Sequence, residues 1–232
     1  MKGTRPTLAA LFLLATAAAR AATTFAESIP YEFSKIDIFV PGSSARWTPE
    51  DINDEGVILT NVRINNLSEA VIAKPMGHEN TKFKTSTFSC TGLAFADTSA
   101  SSINDKGQIV GYCADVPSGP GRLSGFVRHR NGDRIRLDFP GADHTLAFGI
   151  SSSNQVVGHY YNPLLPAQSG LFRIHGFLWD GEKYSTIDFP RPNTYTMLWS
   201  INRSGQILGE YTFFDPATNE TLAHNWFVYD NG

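Results

Sequence analysis

The side chains of this 232-residue chain best suited to chemistry are histidines, a recurring set of aspartates and two cysteines. Histidine titrates near neutrality and is the usual acid–base group. His175 opens a His-Gly-Phe phrase and His224 a His-Asn-Trp-Phe phrase, and we assign the two to one repeated position. Asp37, Asp138 and Asp188 also recur, each just before Ile or Phe. A residue type that returns in every copy of a pattern builds architecture, so these groups are expected to be buried at least in part and bonded near turns. His144 and His159 have no repeated counterpart and are read as loop or edge residues. Asp51-Ile-Asn-Asp-Glu-Gly56 spaces oxygen ligands as a calcium loop does, but its twelfth position is Val62, where that loop needs a glutamate. No unrepeated pair of acids stands out, as a glycosidase would need. Neither a Gly-x-Ser-x-Gly elbow nor a Cys/His arrangement is present. No catalytic residue, metal or cofactor is therefore assigned. Cys90 and Cys113 lack the spacing of a zinc site; a disulfide and two small buried apolar residues both remain open.

The elements that would position these groups repeat four times. Ile103-Asn-Asp-Lys-Gly-Gln-Ile-Val-Gly111 returns as Ile150-Ser-Ser-Ser-Asn-Gln-Val-Val-Gly158 and as Ile201-Asn-Arg-Ser-Gly-Gln-Ile-Leu-Gly209. A diverged copy starts at Ile52, so the steps are 51, 47 and 51 residues. Each copy reads as a strand, an Asn/Gly turn, a hairpin partner, an aromatic third strand and a fourth strand ending in Phe-Pro or Val-Pro. No sustained helical periodicity follows residue 30. A period of this length with several short strands per unit marks a propeller or an array.

The order of pieces favours the propeller. The chain after its leader starts on a fourth-type strand, Tyr31 to Val40, and ends on a third-type strand, His224 to Tyr229. The expected fold is all-β: a small propeller of four blades with four antiparallel strands each, closed by pairing of these terminal strands. Its units are residues 47–89, 100–139, 146–189, and 197–229 with 31–40. The first unit is the least regular, its third strand near Glu69–Lys74 lacking the His-Gly-Phe pattern.

His175-Gly-Phe, His224-Asn-Trp-Phe and the Ile-Asn-x-x-Gly-Gln-Ile-Val-Gly phrases resemble the HAF-type extracellular repeat family, named for a His-Ala-Phe motif. The resemblance covers nearly all of the chain after the leader and departs from the pattern at Ser124 and in the first unit. It implies a bacterial exported β-propeller and names no ligand or reaction.

Residues 1–22 read as a signal peptide, its end extending to 26 on an alternative cleavage. Lys2 and Arg5 precede an apolar stretch from Leu8 to Ala19, too short to span a bilayer, and Ala19-Arg20-Ala21 offers a cleavage site. Residues 31–232 then form a single domain, secreted or periplasmic. Without Lys2, Arg5 and Arg20 the 19 basic residues become 16 against 22 acidic ones, and no basic run survives. Such a chain lacks the footprint for nucleic acid or for anionic membranes, and no membrane insertion is expected. Strand order places on one face the loops that join one unit to the next and those between second and third strands. Arg46, Trp47, His144, Arg191 and Tyr195 fall there and are the candidate ligand-binding residues. The functional expectation is a non-catalytic binding or structural module for an extracellular glycan or protein. The alternative is a polysaccharide-active hydrolase or lyase with acids at a channel mouth.

Overall fold

A computed structural model describes residues 35–230, except 37, 66, 78–81, 91–96, 115–120, 163–173 and 219, and except the side chains of 44–47. The expected signal peptide and Tyr31 to Ser34 lie outside the described residues. The described chain is all-β, with fifteen strands in four antiparallel sheets and no helix. Sheet 1 holds β1 (Ser43–Ile52), β2 (Ile58–Ile64), β3 (Leu67–Pro75) and β4 (Phe83–Phe88). Sheet 2 holds β5 (Thr98–Ile103), β6 (Ile109–Ala114), β7 (Leu123–Arg128) and β8 (Arg134–Leu137). In sheet 3 are β9 (His144–Ile150), β10 (Val156–Tyr161), β11 (Ile174–Trp179) and β12 (Tyr184–Thr186). Sheet 4 has β13 (Thr194–Ile201), β14 (Ile207–Phe214) and β15 (Thr221–Tyr229). In each sheet, space order follows chain order, and no sheet closes on itself.

The repeated phrase builds the turn between first and second strands. Asn104 accepts the Gln108 N–H at its side-chain oxygen and the Gly107 N–H at its carbonyl, so one residue satisfies both arms of the turn. The turn needs positive φ, met by Gly107 and Gly205 and, in sheet 3, by Asn154 at φ 70°. Asn53 Nδ2 donates to the Asn104 carbonyl and Asn104 Nδ2 to the Ser151 carbonyl, which ties the first turn to the second and the second to the third.

Every first strand carries a β-bulge at the same place. The pairing registers skip Glu50, Ser101, Phe148 and Trp199, each two residues before the repeat isoleucine. The bulge and the glycine of the hairpin partner are two halves of one device. A Cβ on Gly158 would lie 2.0 Å from the Leu146 carbonyl, and one on Gly111 equally close to the Ser99 carbonyl. Sheet 1 carries Thr60 there, and its hydroxyl donates to the matching carbonyl, Thr48, at 2.7 Å.

The core lies between successive sheets. Leu59 and Ile72 of sheet 1 pack on Ala100, Ile103 and Ile109 of sheet 2. Val110, Val127 and Leu137 of sheet 2 pack on Ala147, Ile150 and Val156 of sheet 3. Val157 and Leu178 of sheet 3 pack on Leu198, Ile201 and Ile207 of sheet 4. The corresponding face of sheet 4 is bare: Leu208 is 41% exposed, Trp226 61% and Val228 66%. Trp226 also stands where the other third strands have Ala70, Gly125 and Gly176. A Cβ on Gly176 would already meet the Ile187 carbonyl at 2.4 Å, so the tryptophan departs from the packing used elsewhere.

Three expectations change. The strand expected over Tyr31–Val40 is not formed at residues 35, 36 or 38–40, and sheet 4 has three strands among the described residues. The end of this segment touches sheet 1: Val40 is buried against Val62 and Val71, and the Phe39 carbonyl accepts a bond from Thr85 Oγ1. His224 does not share the position of His175. His175 pairs with Tyr160, whose counterpart Tyr211 pairs with Asn225, so His224 sits one residue away and on the opposite face. His159 is neither loop nor edge; it is buried in the middle of β10.

Candidate functional site

The first strands β1, β5, β9 and β13 pack successively on one another, and their two ends differ in chemistry. At the turn end, Asp54, Asp105, Ser152 and Arg203 occupy equivalent turn positions around a cavity of about 470 Å³ lined by all four turns. Arg203 donates to Asp54 at 3.0 Å and to Asp105 at 2.8 Å. Asp105 also accepts the Asp54 N–H and the Ser152 hydroxyl. These bonds, the backbone bond from Asp54 first and Arg203 second, hold its carboxyl below the usual range. This end is latched by its own groups. Asp51, the head of the calcium-like segment, spends Oδ2 on Ser102 Oγ and the Ile103 N–H. Among the described residues no group of three or more His, Cys, Asp or Glu side chains could hold a metal ion.

The opposite end is built from residues six before each repeat isoleucine: Arg46, Asp97, His144 and Tyr195. Three of these were candidates from the sequence. Asp97 was not, although counting back from Ile103 as from Ile150 finds it. Asp97 Oδ1 accepts the N–H of Ser68, the second residue of β3, and His144 Nδ1 accepts that of Leu123, the first of β7, so both close the mouth edge of a third strand. His144 meets Tyr161 edge-to-face at 5.5 Å. Burial, then the nearby phenols of Tyr195 and Tyr112, push the Tyr161 hydroxyl up from its ordinary pKa. Three tyrosines from sheets 2, 3 and 4 thus share this mouth. Tyr195 also packs on Phe214 at 5.1 Å.

Arg191 is not brought to this group. Its guanidinium stacks 3.5 Å above Phe213, which pairs with Thr194, whereas Tyr195 pairs with Thr212 on the other face of sheet 4. The side chains of Arg46 and Trp47 lie outside the described residues. By register Trp47 takes the position of Thr98, Thr145 and Thr196. Those threonines are buried and cap the N–H groups of Cys90, Phe139 and Phe189, the chain entering each sheet.

Below the mouth runs a second layer. The bulge residues Phe148 and Trp199 are in contact at 4.7 Å, and Phe148 also touches Tyr112 and stacks on His159 at 4.9 Å. Burial drives the His159 pKa down to about 4, and its Nδ1 finds no partner. Glu210 is buried with both oxygens engaged, one by Trp199 Nε1 at 3.2 Å and one by His224 Nε2 at 2.5 Å. Glu50 takes the Asn61 amide at 2.8 Å.

The repeated polar groups are spread over separate sheets. His175 bonds Asp188 at 2.8 Å within sheet 3. Asp138 is held by Arg136 at 2.7 Å and Arg122 at 3.3 Å in and beside sheet 2. His224 is more exposed than expected, and its partner is the Glu210 side chain in the middle of sheet 4. Cys90 and Cys113 are joined in a disulfide with their Cα atoms 5.9 Å apart, linking the end of sheet 1 to β6. No family model and no curated protein matches the chain.

Proposed function

We propose that this chain is an exported, non-catalytic binding module: a four-bladed β-propeller of the HAF-type extracellular repeat kind, whose tyrosine-lined mouth holds an extracellular glycan. The four sheets are its blades, and the segment Tyr31–Val40 completes the fourth. The turn-to-turn bonds between neighbouring repeats and the single cavity lined by all four turns support the ring. The Cys90–Cys113 disulfide suits an oxidising compartment, and so favours export.

One observation carries the binding reading: the mouth positions differ in every repeat (Arg46, Asp97, His144, Tyr195), while the isoleucine six residues on is the same in all four (Ile52, Ile103, Ile150, Ile201). Divergence at equivalent, accessible places on a rigid frame is how a symmetric scaffold acquires one ligand. Phenol rings beside polar groups suit sugar faces and hydroxyls. The purified mature protein should retain a glycan on an array, and Tyr195→Ala should weaken that binding on the order of tenfold with unchanged circular dichroism. Retention of a protein partner alone, or full binding by Tyr195→Ala, would overturn this reading.

The second reading, a polysaccharide hydrolase or lyase, rests on Glu50 and Glu210, two carboxylates at inner positions without acidic counterparts in the other sheets. Steady turnover of a polysaccharide that is lost in Glu50→Gln would establish it.

A further inference from the structure

The three boundaries between successive sheets are not equally filled at the mouth. Between sheets 2 and 3 the layer carries Tyr112, Leu123 and His144. Between sheets 3 and 4 it carries His159, Tyr161, Ile174 and Tyr195. Between sheets 1 and 2 the same places hold Asn61, Ser68 and Asp97, with Arg63 where sheet 3 has Tyr161. Asn61, Ser68 and Asp97 are polar in seats that elsewhere take a ring or a branched apolar side chain, and beside them lies a cavity of about 300 Å³, lined by Thr48, Asn61, Val62, Arg63, Ser68 and Asp97.

This cavity is built rather than left over. Asn61 is buried and saturated: its Nδ2 donates to Glu50 Oε1 and to the Ala100 carbonyl, and its Oδ1 accepts the Ala100 N–H. It is therefore a fixed wall joining sheets 1 and 2. Asp97 is held from the other side by the Ser68 N–H at 2.7 Å. A carboxylate has about four acceptor sites, so this bond leaves Asp97 with capacity to spare. Around the wall stand a guanidinium, a carboxylate and two hydroxyls, of opposite charge and matched number.

We propose that this cavity seats the terminal ring of a neutral hexose-based glycan. Its volume is at the small end of ligand sites and suits one sugar ring. Its donors and acceptors match vicinal hydroxyls, which both give and receive bonds. Arg63 and Asp97 offset each other, and the chain as a whole is acidic at −3, so an anionic sugar gains nothing here. The remaining sugars cross the mouth towards Tyr161 and Tyr195. The inference rests on the glycan-binding reading and adds the place and the sugar class.

The test uses Ser68→Leu, which copies Leu123 of sheet 2 into the cavity and leaves the backbone bond to Asp97 in place. The probes are methyl glycosides of glucose, galactose, mannose and N-acetylglucosamine, with glucuronate as the anionic comparison, followed by saturation-transfer NMR on the full mature chain. At least one neutral glycoside should show transfer in the wild type, and Ser68→Leu should weaken it on the order of tenfold or more. Asp97→Asn, which keeps the acceptor for Ser68, should weaken it as well, and serves if Ser68→Leu does not fold. No transfer from any neutral glycoside, transfer from glucuronate alone, or transfer unchanged in both variants would overturn the assignment. If Tyr195→Ala abolishes array binding while both cavity variants keep it, the mouth remains the binding face and the cavity assignment falls.

Discussion

His159 shows how much a single side chain depends on its face. Buried between Phe148 and Trp199, it stays neutral, with a pKa of about 4 against an ordinary 6.5. The unfolded chain takes up a proton as pH falls through 6.5 and the folded chain does not until about 4. The neutral-histidine stability is therefore complete above pH 6.5 and is lost as pH drops towards 4, by roughly 3 kcal/mol. Urea midpoints measured across this window should fall less steeply in His159→Gln than in the wild type. Parallel slopes would contradict burial as the cause. His159 was missed because no histidine stands at this place in the other repeats, although Val156-Val157-Gly158 before it and Tyr160-Tyr161 after it read as a strand. His224 misled for a different reason: its phrase matches that of His175 by letters, but one residue of offset turns it to the other face of the sheet. Asp97, in contrast, was within reach, since its place follows from counting along the repeat.

At the scale of the strand, the repeated phrase was legible and the bulge inside it was not. Hydrophobic pattern and turn residues mark a hairpin; one extra residue in a strand leaves no compositional trace. The bulge also explains Gly111 and Gly158, which face the carbonyl that the bulge pushes forward. Gly158→Ala must move the Leu146 carbonyl or the sheet with it, and should cost about 2 kcal/mol or more. A shifted urea midpoint at constant slope would report it. A neutral effect would mean that the close approach is not obligatory. Thr60 makes the same approach with a hydroxyl that bonds the carbonyl, so this place tolerates bulk only where the bulk can donate.

For the whole molecule, the count of four repeats and the order of their strands could be read from the sequence, because each unit carries its own turn. The closing of the fourth unit could not, because it depends on how the two ends of the chain meet. In sheets 1 to 3 a residue at or just past the end of the outer strand (Phe88, Leu137 or Ile187) fills the boundary with the next sheet. Ile36 is its counterpart before Asp37 and is 43% exposed, as bare as Leu208 of sheet 4. If the terminal segment completes sheet 4 as proposed, Ile36 lies across from Trp226, as Leu137 does from Gly125. Ile36→Cys with Trp226→Cys should then form a disulfide within one chain under mild oxidation. A dimer linked by the same pair, or free thiols, would reject the closure. The latch at the turn end has a kinetic meaning. Most of the bonds between sheets join neighbours about one repeat apart, whereas Arg203 reaches back 149 residues to Asp54 and 98 to Asp105. Contacts of low sequence separation form early, and those that must close a long loop form late. On these grounds the chain is expected to condense from sheet to sheet along its length, with Arg203 set among its aspartates late in folding.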